Sequence, residues 1–360
     1  MRKYYLDNIR MTTVVLVVIY HVIYMFNGVA SDGIAGAFSA VQYQDAAQYL
    51  LYPWFMVLLF IVSGMCSKYY LDSHSDGEFI RSRTRKLLVP STIGLLVLQW
   101  IQGIVNMKLG GAFETMPDVP KIALYFIAAV SGTGVLWYIQ MLWLFSVLLV
   151  LLRKTEKGRF YNLCGKVAGN PVFLLLSGVA AFVAAQVLNT PVVTVYRFGI
   201  YGFAFFFGYY VFTHEKATDR LVKLRFPLAI AAAVLGAVYT VKYFGQNFAA
   251  VPVINCPLAM AYMWCACLGI IGLAKKYADF SNKFTRFMSR KSWGLYVFHY
   301  LPVSVCGLFL PKTDLPPILI YIITGVSAFV VAFLLYEIIS RVPFFRWCVL
   351  GIKKEKKNVQ

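Results

Sequence analysis

The chain has 360 residues, of which 60% are hydrophobic and only 14% are charged, and its formal net charge is +19. Apolar runs of about twenty residues recur along it, which is the length that an α-helix needs to cross a bilayer. Outer-membrane barrels are excluded, because their strands are shorter and alternate in polarity. The sequence therefore predicts an all-α, polytopic integral membrane protein.

The apolar runs predict about ten membrane spans. They cover approximately residues 8–27, 49–69, 87–106, 135–152, 172–188, 195–213, 227–244, 254–273, 292–310 and 317–340. With both termini in the cytoplasm, only Lys108, Lys121, Arg197, Lys242 and Lys312 of the 34 basic residues fall outside the cytoplasmic segments. This asymmetry follows the positive-inside rule. We therefore expect a multi-pass protein of the cell membrane, whose excess charge faces anionic lipid headgroups and not nucleic acid.

The first span carries two residues that are costly in lipid, Arg10 at its start and His21 inside it. They are eleven positions apart, which is three helical turns plus about 20°, so both lie on one face about 16 Å apart along the axis. Asp7 falls within about 40° of the same stripe. Ionisable residues inside a span usually face the bundle interior and have a function. Arg10 and His21 are therefore the first candidates for an active site.

A second candidate is the basic loop before the third predicted span. Arg83, Arg85 and Lys86 lie within FIRSRTRKLLVP, residues 79–90. Basic residues here are typical of a topology anchor. They equally suit a site for a phosphorylated cytosolic ligand, since arginine binds phosphate through two parallel hydrogen bonds.

Other polar or aromatic residues in the spans allow two interpretations each. For Ser63-Gly64, close helix packing is favoured over a catalytic serine. Trp137 is typical of an aromatic belt, and Arg197 is expected to extend its charge to the headgroups rather than face an external acceptor pocket. His299 is as well explained by a hydrogen-bonded core position as by a function. The seven cysteines lack the spacing of a zinc site, and we expect no metal.

A base at mid-membrane, an arginine below it on one helix face and a basic entrance together predict a path from the cytosol to the bilayer centre. Histidine is the usual general base for taking a proton from a hydroxyl. The residues therefore fit transfer of a group across or within the membrane. They fit proton-coupled transport almost as well.

The amino-terminal pattern Y-L-D-x-x-R-x10-H resembles that of the membrane acyltransferase 3 family. Four further stretches follow in that family's order, namely FIVSG (60–64), RTRKLLVP (83–90), LWYIQ (136–140) and SWGLYVFH (292–299), and VPFFRWCVLG near the end is also similar. The resemblance predicts a transmembrane acyltransferase domain over residues 1–345, followed by a basic cytoplasmic tail over 346–360.

This sequence departs from the family pattern at one place. The family usually has R-x-x-R before the third span, where this chain has Arg83 and Lys86 with Arg85 between them. A lysine keeps the charge but loses the planar fork of arginine. The serine-hydrolase domain that some relatives carry after the membrane part is also not seen, so we expect this chain to complete the reaction alone or with a separate periplasmic or extracellular partner.

The resemblance implies an integral-membrane O-acyltransferase that takes an acetyl or succinyl type of acyl group from cytosolic acyl-CoA. The acceptor would be a hydroxyl of a cell-envelope glycan or a similar molecule. His21 would be the base, Arg10 would orient it or bind the donor, and Arg83, Arg85 and Lys86 would hold the CoA phosphates. Asp7, Ser63, Trp137 and His299 are candidates for contact with the substrate. The alternative function is a transporter or flippase of glycans or lipid-linked precursors.

Overall fold

A computed structural model describes residues 2–29, 34–116, 118–190 and 195–353. Within these residues the chain is helical and has no strand, apart from an isolated bridge between Asn189 and Arg197. The α-helices are α1 (Tyr4–Met25), α2 (Ala46–Leu51), α3 (Phe55–Leu71), α4 (Asp76–Arg83), α5 (Trp100–Leu109), α6 (Ala112–Thr115), α7 (Lys121–Ser131), α8 (Trp137–Glu156), α9 (Arg159–Val167), α10 (Pro171–Gln186), α11 (Phe198–Tyr210), α12 (Glu215–Tyr243), α13 (Val251–Ile254), α14 (Pro257–Tyr277), α15 (Lys283–Phe298), α16 (Tyr300–Phe309), α17 (Pro317–Arg341) and α18 (Pro343–Leu350). The all-α prediction is confirmed.

Six helical segments of the described chain are long and apolar enough to cross a membrane. They are Tyr4–Met25, Tyr43–Leu71, Gly134–Glu156, Glu215–Tyr243, Pro257–Tyr277 and Pro317–Arg341. Two bent pairs raise the number to eight if each pair is one span: α9 with α10, bent by 120°, and α15 with Tyr300–Lys312, bent by 45°. The membrane class is confirmed, but the count of ten spans is not.

The two predicted spans that the structure does not show as membrane-crossing helices are 87–106 and 195–213. The first is interrupted around Pro90, which has no backbone N–H to donate to a helix. The chain widens there into π-helical turns at Thr84–Leu88 and Leu95–Gln99, where Val89 N–H bonds the Thr84 carbonyl five residues back, at 3.0 Å. The second predicted span contains only the 13-residue α11.

α3 lies at the centre of the bundle, and its side chains are buried from Phe55 to Met65. It crosses α11 with the two backbones almost in contact. A Cβ atom on Gly64 would lie 1.9 Å from the Phe205 carbonyl oxygen, and one on Gly208 would lie 2.2 Å from that of Ile61. The prediction that small residues at Ser63-Gly64 permit close helix packing is confirmed.

The start of α1 and the ends of several other helices lie close together at one end of the bundle. Lys3 forms an ion pair with Glu215, and Lys275 bonds the same carboxylate at 2.6 Å. The Tyr5 N–H donates to Asp279 Oδ1 at 3.0 Å. We call this the basic end; it comprises residues 2–10, 66–88, 153–166, 214–220, 275–293 and 350–353.

The first residues of the predicted tail 346–360 belong to the folded part of the basic end. Cys348, Val349 and Leu350 are buried in α18. The Leu350 carbonyl accepts a hydrogen bond from Trp293 Nε1 at 3.1 Å. Residues 354–360 lie outside the described residues.

Candidate active site

A cavity of about 370 Å³ lies at the basic end between α1, α3, the π-helical turn Thr84–Leu88, α8 and α15. Three basic side chains line it, those of Arg10, Arg83 and Lys86. Further residues of the lining are Val14, Leu59, Ser63, Cys66, Leu142, Tyr138, Trp293 and Tyr296. The cavity therefore combines cationic groups with an apolar and aromatic lining.

Neighbouring helices hold the two arginines in place. Arg10 Nη2 contacts Cys66 Sγ at 3.0 Å, and Arg10 Nη1 bonds Asp7 Oδ1 at 3.5 Å. Arg83 Nη2 donates to Ser67 Oγ at 3.0 Å. A guanidinium has five N–H donors, more than these contacts use. Both side chains can therefore donate further hydrogen bonds to an anion in the cavity.

The structure separates the other charged candidates. Arg85 does not line the cavity, because its Nε donates to the Gly351 carbonyl at 3.2 Å, whereas Lys86 does line it. Asp7 is a partner of Arg10 and also pairs with Arg2 at 2.8 Å. The two positions that match the family's R-x-x-R register thus share the cavity, and Arg85 lies behind them.

Ser63 and Trp137 lie in different surroundings. Ser63 Oγ is 2.8 Å from the Tyr138 hydroxyl inside the cavity wall. Trp137 is not among the lining residues; its ring packs 5.4 Å from that of Tyr201 and 6.4 Å from that of Phe60. Ser63 is therefore placed to contact a ligand of the cavity, and Trp137 is not.

Beyond the cavity the two intramembrane histidines meet. His299 sits at the bend between α15 and α16 and is fully buried. Its Nε2 is 3.2 Å from His21 Nδ1, and its Nδ1 is 3.0 Å from the carbonyl oxygens of both Leu295 and Tyr296. His21 Nδ1 is also 2.8 Å from the Val17 carbonyl. We call these two residues the histidine pair.

Aromatic rings surround the histidine pair. The His21 ring centroid is 5.0 Å from those of Tyr20 and Tyr300, and 6.2 Å from that of Tyr24. Tyr296 lies next to both the pair and the cavity, since it lines the cavity and its backbone carbonyl contacts His299.

Arg10 and His21 do share the predicted stripe of α1, but they do not touch. Arg10 and Val14 line the cavity, and the Val17 carbonyl and His21 follow on the same face at helical spacing. Arg10 bonds Cys66 and Asp7, whereas the side-chain partner of His21 is His299. The structure thus brings together His21 with His299 and Arg10 with Arg83 and Lys86.

The expectation that Arg197 extends its charge to the headgroups is wrong. The residue is only 4% exposed, and its side chain donates a hydrogen bond from Nη2 to Asn255 Oδ1 and lies over the Tyr201 ring at 5.8 Å. These polar and aromatic partners inside the protein replace water around the cation.

A family model described as "Acyltransferase domain" matches residues 3–337. The chain belongs to this family. The match includes both histidines, Arg10, Arg83 and Lys86. Comparisons with curated proteins and with solved structures give no significant match. The predicted family is confirmed, and the protein is a membrane acyltransferase.

The residues of the cavity lining that sequence reasoning missed include Cys66, Tyr138 and Tyr296. Signals for them were present. Cys66 follows Ser63 by three positions and so shares its helical face. Tyr138 and Tyr296 both lie within the family-like stretches 136–140 and 292–299.

Proposed function

We propose that this acyltransferase moves an acyl group from a cytosolic acyl-CoA to a hydroxyl of a cell-envelope glycan or a similar acceptor. The observation that carries the proposal is that the histidine pair lies next to the basic cavity, with Tyr296 in contact with both. Arg10 and His21 are about 16 Å apart along α1. A donor that uses both needs an anionic head and a reactive group at the end of a long arm, and acyl-CoA has this form.

The donor head would bind at the basic end, which in this proposal faces the cytosol together with both termini. Arg83 and Arg10 would hold CoA phosphates with paired hydrogen bonds, and Lys86 would add a point charge. The thioester arm would extend past Ser63 and Tyr138 towards Tyr296. All of these residues line the cavity.

His21 would act as the general base. Its ring takes the proton of the acceptor hydroxyl as that oxygen attacks the thioester carbonyl. The carbon–oxygen bond of the ester forms, the carbon–sulfur bond breaks, and the leaving thiolate of CoA takes the proton back from the imidazolium. His21 is thereby returned to its neutral form, and no further reactant is needed.

The acceptor in this proposal is a carbohydrate or another hydroxyl-bearing molecule that approaches from the opposite end of the bundle. A separate periplasmic or extracellular protein is a candidate for delivering it or for receiving the acyl group. Membrane lipid surrounds the apolar faces of α12 and α17, whose outer side chains are largely exposed.

The test uses the purified full chain in detergent with acetyl-CoA and, separately, succinyl-CoA. We expect slow release of free CoA thiol, and faster release when the acceptor is added. Mass spectrometry of envelope glycans from cells with and without the protein should differ by one acyl mass. Transport of glycan into vesicles without any release of CoA would instead support the transporter alternative.

A further inference from the structure

The hydrogen bonds of His299 determine which of its nitrogens carries the proton. Nδ1 lies 3.0 Å from two backbone carbonyl oxygens, those of Leu295 and Tyr296. Carbonyl oxygens only accept hydrogen bonds. Nδ1 of His299 must therefore be the protonated nitrogen of the neutral ring, and its Nε2 is left as an acceptor.

The same reasoning extends to His21. Its Nδ1 lies 2.8 Å from the Val17 carbonyl oxygen and 3.2 Å from His299 Nε2. Both neighbours are acceptors, so His21 Nδ1 must donate, and its N–H is shared between them. In the neutral ring Nε2 then has no hydrogen. A free Nε2 is the form of histidine that can take a proton from a hydroxyl.

Both rings are expected to be neutral in the resting protein. Two imidazolium ions 3.2 Å apart would repel strongly in a buried setting. Neither histidine forms an ion pair with a carboxylate in the described part of the chain.

We infer that His299 is a positioning residue: together with the Val17 carbonyl it holds His21 in the tautomer with a free Nε2, and it supports the imidazolium that forms there, a role that rests on the proposed function of His21 as the base. When His21 takes a proton, its Nδ1–H becomes a stronger donor, and the acceptor nitrogen of His299 stabilises the cation. In the serine-protease triad a carboxylate has this role towards its histidine. Here the imidazole of His299 takes the place of the carboxylate. His299 is fully buried, which excludes direct contact with the substrate.

The first test is nuclear magnetic resonance of the wild-type chain labelled with ¹⁵N-histidine. The protein has only four histidines, so His21 can be assigned by the loss of its signals in His21→Gln. We expect a protonated Nδ1 and an unprotonated Nε2. A His21 ring with the proton on Nε2 would overturn the inference, whether or not any acyl transfer is detected.

The second test compares three variants of His299 for acyl transfer. The amide oxygen of glutamine can accept at the position of Nε2, whereas the shorter asparagine replaces only Nδ1 and leucine replaces neither. We expect the kcat of His299→Gln for acyl transfer to stay within about tenfold of the wild-type value. His299→Asn and His299→Leu should lose about 10²-fold in kcat, with the KM for acyl-CoA unchanged, because protonated His21 then lacks the nitrogen that accepts from its Nδ1–H. The loss should be smaller than the roughly 10⁴-fold seen when a triad carboxylate is replaced, since a neutral imidazole is a weaker acceptor than a carboxylate.

In His299→Leu the Val17 carbonyl still accepts from His21 Nδ1, so the proton should stay mainly on Nδ1, but the ¹⁵N signal of Nδ1 should shift because one of its two acceptors is lost. Monodisperse elution and an unchanged melting temperature serve as controls for folding. Equal losses in the glutamine and leucine variants, or full activity in the leucine variant, would overturn the inference. If wild type neither releases CoA nor transfers acyl groups, the proposed function fails, and the comparison of the His21 Nδ1 signal between wild type and His299→Leu still decides whether His299 accepts from His21.

Discussion

The first helix places Arg10 in the cavity at the basic end and His21, eleven positions later, in a layer of packed aromatic rings. The Arg10 side chain is 40% exposed and shares the cavity with two other cations. His299, the partner of His21, has no exposed surface and contacts two carbonyls and one imidazole. In the cavity several cationic side chains can attract the same anion. In the histidine pair each ring nitrogen has a specific partner, so the orientation of His21 depends on individual hydrogen bonds.

Substitutions in the cavity and in the histidine pair should therefore have different effects. Changes at the cavity should act on donor binding and should be partial, because the remaining cations still attract phosphate. Changes at the histidine pair should act on the rate of the chemical step and should be severe.

The largest effect is expected for His21→Gln, which keeps hydrogen bonding but cannot take a proton. Loss of a general base typically lowers the rate by about 10²–10⁴-fold. We expect kcat for acyl transfer to fall by this factor at unchanged KM for acyl-CoA, measured by release of CoA thiol. His74→Gln is the matched control, since His74 is exposed and lies outside the cavity. Near wild-type activity of His21→Gln would make His21 a packing residue.

The next effect is expected for Arg83→Ala in the cavity. A hydrogen bond to a charged group contributes about 1.5–3 kcal/mol, which corresponds to a rise of about 10- to 100-fold in the KM for acyl-CoA. kcat should change little. Arg85→Ala is the control, because Arg85 is the same residue type two positions away and bonds Gly351 instead. Equal effects of the two variants would mean that the loop anchors topology and does not bind the donor.

A smaller effect, on stability, is expected for Gly64→Ala beside the cavity wall. The added Cβ would lie 1.9 Å from the Phe205 carbonyl oxygen, so α3 and α11 must move apart. Overpacking of this kind typically lowers stability by about 1–3 kcal/mol, measured as a lower melting temperature in detergent. Gly77→Ala is the control, because its Cβ would meet no atom within 4 Å. An unchanged melting temperature of Gly64→Ala would contradict the close crossing.

The smallest effect is expected for Ser63→Ala. The variant loses the 2.8 Å hydrogen bond to the Tyr138 hydroxyl, and such a bond contributes about 0.5–1.5 kcal/mol. We expect transfer to decrease by about tenfold at most in a direct assay of kcat/KM. A nucleophilic serine needs an adjacent base, and both histidines have other partners. A loss of about 10³-fold would instead indicate that Ser63 carries the acyl group.

Several features of the acyltransferase were determined by its sequence alone. Hydropathy established the helical membrane class, because a span must satisfy its backbone hydrogen bonds internally. The helical period placed Arg10 and His21 on one stripe of α1, and the small residue Gly64 indicated the close crossing. Each of these properties depends on residues near one another in the chain.

Tertiary structure alone decided which side chains meet. His21 and His299 are 278 positions apart, and only the packing of α1 against the bend between α15 and α16 brings their rings together. Local sequence also could not distinguish Lys86, which lines the cavity, from its neighbour Arg85, which bonds Gly351. Nor could it show that Asn255 accepts a hydrogen bond from the buried guanidinium of Arg197. The physical reason is that side-chain partners depend on how distant helices pack, and hydropathy and periodicity describe one helix at a time.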